Sequence, residues 1–236
     1  MVKHNMLHPQ LTLSIGTVAS STFESFMPGS GNADAYATLM AFCAGKDNEK
    51  QIFLWGENAT GKTHLLSAAC QQFTAGGYQV AYMTGDLASH NGALNAMESI
   101  DLLCLDDLHL LELSAQETLF HCINRCRDSG TRLIFSSKVS IDELSFSLAD
   151  LVTRLSWGPV FQLHALADEE LPNALALQLQ LRGLDVSADV IEYIVRRYPR
   201  NMQDLTQLVE RLDQASLTEQ RRITIPLVRS VSELMV

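Results

Sequence analysis

Residues 56–63 read Gly56-Glu57-Asn58-Ala59-Thr60-Gly61-Lys62-Thr63, a complete G-x-x-x-x-G-K-[ST] spacing. An apolar run of strand length, Gln51-Ile52-Phe53-Leu54-Trp55, precedes it, and a stretch of helical composition, His64-Leu65-Leu66-Ser67-Ala68-Ala69-Cys70, follows. Strand, glycine-bounded loop and helix in that order form a phosphate-binding loop rather than an ordinary turn. The glycines let successive backbone N–H groups converge on phosphate oxygens, and the helix adds its positive N-terminal end. Gly56 to His64 are therefore the candidate phosphate contacts. Lys62 is placed to reach the terminal phosphates and the Thr63 hydroxyl to ligate Mg²⁺. The chain is expected to bind ADP or ATP.

The rest of the chain supplies the sheet that such a loop needs. Strands are expected at 51–55, 78–83, 101–106, 131–136 and 160–163, with helices at 33–44, after the loop, at 87–97 and at 114–127, the last capped by Ser114. Nearly continuous apolar strands joined by helices imply an α/β domain whose parallel sheet is covered on both faces. After about residue 167 the strands stop. Segments 167–181, 187–198, 201–217 and 226–234 carry apolar residues at three-to-four spacing, punctuated by Gly183, Pro199 and Pro226. The expected organisation is a tail over 1–22, an α/β nucleotide-binding domain over 23–166 and a small all-helical lid over 167–236.

Charge narrows the partners. Lysine and arginine number 17 against 27 acidic residues, a net charge of −10. So acidic a chain is repelled by a phosphate backbone, which disfavours dedicated DNA binding and favours a protein partner. No apolar stretch is long enough to span a membrane, and the N-terminus lacks a signal-peptide core. Five cysteines without paired spacing imply free thiols and a cytoplasmic protein, with Cys122 and Cys126 packed in a core rather than holding a metal.

A second nucleotide element closes the third strand. Leu102-Leu103-Cys104-Leu105-Asp106-Asp107 ends an apolar run on two carboxylates at the sheet edge where ligands bind. Asp106 is the candidate Mg²⁺ ligand and Asp107 the candidate group that orients or polarises an attacking water. The fourth strand ends in Ser136-Ser137-Lys138, polar groups within reach of a terminal phosphate. Arg154, three residues before Trp157-Gly158, is by residue type alone an arginine near the end of a short helix.

The order of these elements, phosphate loop, acidic strand end, polar strand-four end, arginine before Trp-Gly and helical lid, resembles the AAA+ ATPases and within them the DnaA family. That resemblance implies that Arg154 is a finger reaching the nucleotide of a neighbouring subunit. It also implies an adenine pocket formed partly by the segment holding Phe23 and Phe26. The tail Gln10-Leu11-Thr12-Leu13-Ser14-Ile15 is similar to the peptide such proteins use to bind the replication sliding clamp, with Gln10, Leu11 and Leu13 as its anchors. The C-terminal run to Val236 is similar to that of DnaA-related regulators, with no helix-turn-helix DNA-binding domain expected after it. Two departures stand out. Gln203 lies where the family has a lid arginine, with Arg200 three residues earlier as a substitute, and Lys138 lies where an acidic residue is common.

The resemblance thus implies an adaptor with weak or no hydrolysis of its own. With the clamp on DNA it would stimulate ATP hydrolysis by DnaA and restrain replication initiation, touching DNA only through the clamp. The alternative is a self-acting oligomeric ATPase of the helicase-loader kind.

Overall fold

The computed structural model describes residues 21–46, 48–219 and 222–233. Five strands, β1 (Gln51–Trp55), β2 (Val80–Thr84), β3 (Leu102–Asp106), β4 (Arg132–Ser137) and β5 (Val160–Gln162), form one sheet in the order β2-β3-β4-β1-β5. Every pairing is parallel, with Gln51 opposite Leu133, Phe53 opposite Val160, and Leu102 opposite Arg132. Parallel strands need crossovers, and the helices that supply them bury both faces of the sheet.

On one face, α1 (Ala33–Cys43) and α2 (Lys62–Ala75) lay Leu39, Phe42, Leu65, Leu66 and Ala69 on Ile52, Leu54 and Ile134. The opposite face receives α4 (Gln116–Ser129) and α5 (Ala149–Leu155), whose Leu119, Ile123, Leu151 and Leu155 pack on Phe53, Leu103, Leu105 and Phe135. Alternate strand residues thus serve two cores, which is why the strands read as unbroken apolar runs. Cys122 and Cys126 belong to the second core, their sulfurs 3.9 Å apart.

Beyond the sheet, α6 (Leu171–Leu181), α7 (Ala188–Arg197), α8 (Met202–Glu219) and α9 (Ile225–Glu233) close a third core around Leu175, Ile194, Leu208, Leu212 and Val228. Gln178 on α6 donates to Ser25 O at 2.6 Å, and Glu170 accepts from Ser30 N at 2.8 Å. The segment ahead of α1 therefore ties the helical bundle to the α/β body.

Two local expectations are corrected. The helix expected over 87–97 is only α3 (Gly85–Ala88), then turns and a 3₁₀ turn at Met97–Ser99. Ser-His-Asn-Gly over 89–92 is poor helix material, Gly92 takes φ +84°, and Ala96 is also left-handed. Ser114 does not cap α4. It sits inside a 3₁₀ turn (Leu113–Ala115) and its hydroxyl donates to Glu112 instead. β4 runs between β1 and β3, and across its end the charges of Asp107 and Asp106 still act on Lys62 of the phosphate loop.

Candidate functional site

The loop from Gly56 to Gly61 leaves the C-terminal end of β1 and enters α2 at Lys62. Gly56 N donates to Ser137 O at 3.2 Å, so the loop begins against the end of β4. Lys62 is only 6% exposed. Its Nζ donates to Gly56 O at 2.7 Å and Glu57 O at 2.8 Å and lies 3.5 Å from Thr60 Oγ1. Burial pushes the ammonium below the ordinary lysine value, and the charges of Asp107, Asp106 and Glu57 pull it back up. Asn58 and Thr63 are exposed, and Ala59 takes a left-handed φ of +61° at the turn.

Gly61 is the glycine this geometry requires. Its φ is +94°, and a Cβ there would stand 2.5 Å from Phe26 Cε2. Phe26 thus lies over the start of α2, stacked on Tyr36 with ring centres 5.8 Å apart. His64 holds the same segment: its Nε2 is 2.9 Å from Thr22 O and 3.1 Å from Ser25 Oγ. A carbonyl only accepts, so Nε2 carries the proton, and burial keeps the ring neutral by lowering its pKa. The His64 side chain is therefore a clamp on residues 22–26. Phe23 is core, edge-on to Tyr36.

At the end of β3, Asp106 is 1% exposed and hydrogen-bonded on both oxygens. Tyr82 OH donates to Oδ2 at 2.6 Å, while Ser136 Oγ and Asp107 N donate to Oδ1. Sequence reasoning put Ser136 near phosphate and did not find Tyr82; the structure turns both hydroxyls onto the carboxylate. A tyrosine two residues before a strand's end is the only signal that was there. Tyr82→Phe is expected to cost about 1.5–3 kcal/mol in urea unfolding, the range for a hydrogen bond to a charged group. An unchanged unfolding midpoint would mean that Ser136 and the Asp107 amide suffice.

Asp107 adopts φ +51°, and burial followed by the charge of Asp106 pushes its carboxyl above the usual range. Asp106, Asp107 and the Thr63 hydroxyl are hard oxygen donors of the kind Mg²⁺ takes, and the raised Asp107 pKa is a cost that a divalent cation would relieve. The residues fit Mg²⁺, as the loop and its buried lysine fit a nucleotide phosphate. Lys138 flanks the loop from β4, its Nζ 3.7 Å from Glu57 Oε2 and its amide donating to His109 Nδ1 at 3.3 Å.

Arg154 stands elsewhere. The buried Gln51 at the start of β1 donates from Nε2 to Arg154 O at 2.9 Å and Leu155 O at 2.8 Å. Gly158 approaches so closely that a Cβ would collide with Gln51 O. The end of α5 is thus fixed at the edge of the sheet opposite the phosphate loop. The guanidinium is not an ordinary solvated charge: its Cζ lies 3.7 Å from the Trp157 ring centre and 5.6 Å from that of Phe120. Arg200 pairs with Asp168. Gln10, Leu11 and Leu13 lie outside the described residues.

A parallel sheet ordered β2-β3-β4-β1-β5, a phosphate loop after β1, an acidic end to β3 and a helical lid define a P-loop protein of the AAA+ class. Residues 18–162 match the family model of the bacterial DnaA ATPase domain, and residues 168–231 match that of the Hda lid domain. The chain belongs to the bacterial DnaA ATPase family. Among solved structures it is similar to domain III of the Thermotoga maritima replication initiator DnaA, at 22% identity and a TM-score of 0.78, covering 90% of this chain and 95% of that one. It is also similar to AMPPCP-bound DnaA from Aquifex aeolicus, at 26% identity and 0.70, over 81% of this chain and 64% of that one. A Thermotoga maritima RuvB variant shares the fold at 18% identity and 0.68, over 92% and 72%. Among the described residues no helix is long and apolar enough to cross a membrane.

Proposed function

We propose that this protein is a cytoplasmic, nucleotide-binding regulatory adaptor that presents Arg154 to ATP held by DnaA and so negatively regulates replication initiation. The observation that carries the reading is the separation of Arg154 from its own phosphate loop. Gln51 and Gly56 stand at opposite ends of β1, and five residues at about 3.3 Å each put roughly 17 Å between them. An arginine anchored at the first end serves a nucleotide bound to another molecule. There its planar guanidinium would neutralise charge developing on the transferring phosphoryl group.

The chain's own loop holds ADP or ATP through Lys62 and the Gly56–His64 backbone, with Thr63 and Asp106 toward Mg²⁺ and Asp107 toward water. Phe26, held over Gly61, supports the reading of an adenine contact. Arg200 is the lid's candidate cation, shared with Asp168. A bound nucleotide would order loop and lid together, because His64 and Gln178 grip the same segment from the two sides. Opposed finger and loop edges also permit a homo-oligomer. The tail residues Gln10, Leu11 and Leu13 dock on the sliding clamp, which supplies the only link to DNA.

The test is conversion of ATP-bound DnaA to its ADP form, with and without clamp-loaded DNA. The protein should accelerate conversion only with the loaded clamp. Replacing Gln10, Leu11 and Leu13 by alanine should abolish co-elution with the clamp and the acceleration, with melting temperature and ADP affinity unchanged, as expected of residues that serve only the clamp. Wild-type acceleration by that variant would remove the clamp from the mechanism. Fast hydrolysis without DnaA would favour a self-acting ATPase.

A further inference from the structure

Trp157 carries two guanidiniums, not one. Arg154 Cζ lies 3.7 Å from its ring centre and Arg127 Cζ lies 3.8 Å from it. Van der Waals contact with a planar ring puts an atom at that distance almost directly above the centre, and two like-charged forks cannot share that place. They therefore take opposite faces, and the indole is clamped between the last turn of α4 and the last turn of α5. Among the described residues neither guanidinium has a carboxylate within 4.0 Å, so the aromatic faces are their principal support.

The surroundings of the ring say what Arg127 does. Trp157 is 38% exposed and is not locked by the core. It shares with Arg127 the wall of a cavity of about 160 Å³ lined also by Lys50, Gln51, Ile123 and Leu133. With Arg127 in place, one face of the indole is covered and the other is held against Arg154. Without it, the ring has room to tilt toward the cavity, and Arg154 loses its platform. On the Arg154 side Phe120 offers only a longer contact.

We propose that Arg127 is a positioning residue for Arg154, acting through Trp157 to keep the guanidinium pre-organised for a partner's phosphate. The proposal rests on the reading of Arg154 as a finger in trans. A finger engages charge that develops only in the transition state, so ordering it beforehand raises the rate inside the complex and leaves the affinity of its formation to other contacts.

The experiment compares wild type, Arg127→Gln and Arg127→Lys in stimulated conversion of ATP-bound DnaA, titrated to saturation with clamp-loaded DNA. Arg127→Gln is expected to lower the saturated rate about fivefold, the fold-change of one partly exposed cation–π contact, with the half-saturating concentration unchanged. Arg127→Lys, which keeps a cation over the ring, should restore most of that rate. Emission from Trp157, isolated by subtracting the spectrum of a Trp157→Phe variant, should become more accessible to acrylamide in Arg127→Gln and not in Arg127→Lys. A saturated rate equal to wild type, a change confined to half-saturation, or unaltered quenching would each overturn the positioning role. Should Arg154→Ala keep wild-type stimulation, the finger reading itself fails. Stimulation that needs Arg154 but ignores Arg127 defeats only the present proposal.

Discussion

Arg154→Ala is expected to lose nearly all stimulation of hydrolysis on DnaA, a fall of about 10³–10⁵ in rate if it behaves as other fingers do. It should leave the protein folded and its own nucleotide site intact. The structure gives the reason for both halves. Gln51 fixes the end of α5 through the carbonyls of Arg154 and Leu155, and alanine keeps both carbonyls. What is lost is the side chain over Trp157 and Phe120, at the edge of the sheet remote from Lys62. Arg154→Lys should recover little. A lysine ammonium can still sit near the indole, but it lacks the planar fork that gives two parallel bonds to phosphate oxygens. Conversion of ATP-bound DnaA with clamp-loaded DNA reads the effect, with ADP affinity and melting temperature as controls. Wild-type stimulation by Arg154→Ala would return Arg154 to the status of a surface charge.

The parts legible in the sequence are those whose chemistry is local. A phosphate loop needs its glycines, lysine and hydroxyl at fixed offsets, so residues 56–63 declare themselves, and the strand before and helix after them are found where expected. Strands buried on both faces are unbroken apolar runs, which placed all five to within two residues at either end. Local signals failed where competing residues shared a segment, as in 89–96, where asparagine, serine and glycine turned an expected helix into turns. Contacts between distant residues were not legible. Nothing in the chain announces that β4 separates β1 from β3, that Tyr82 reaches Asp106, or that Lys138 meets Glu57. The pairing of Arg127 with Trp157 is of the same kind, set by how α4 and α5 pack. The resemblance to a family pointed to Arg154, while only the fold shows it standing at the far edge of the sheet.

Lys62→Ala is expected to weaken ADP binding by about 1.5–3 kcal/mol, the range for a charge-assisted hydrogen bond. That is about 10- to 150-fold in Kd. The ammonium is already under the loop, bonded to the Gly56 and Glu57 carbonyls, so a phosphate in the loop would meet a donor that needs little reorganisation. Burial lowers its pKa below 10.5, against the pull of Asp107, Asp106 and Glu57. A bound phosphate favours the charged form, so ADP affinity should fall as pH rises through that depressed value, at a lower pH than an ordinary lysine would allow. Calorimetry of wild type and Lys62→Ala over rising pH separates the two contributions, because the variant has no ammonium to titrate and should lack that part of the decline. Equal ADP affinity in a folded Lys62→Ala protein would sink the assignment of this loop as the phosphate site. A pH profile shared by both proteins would move the titrating group away from Lys62.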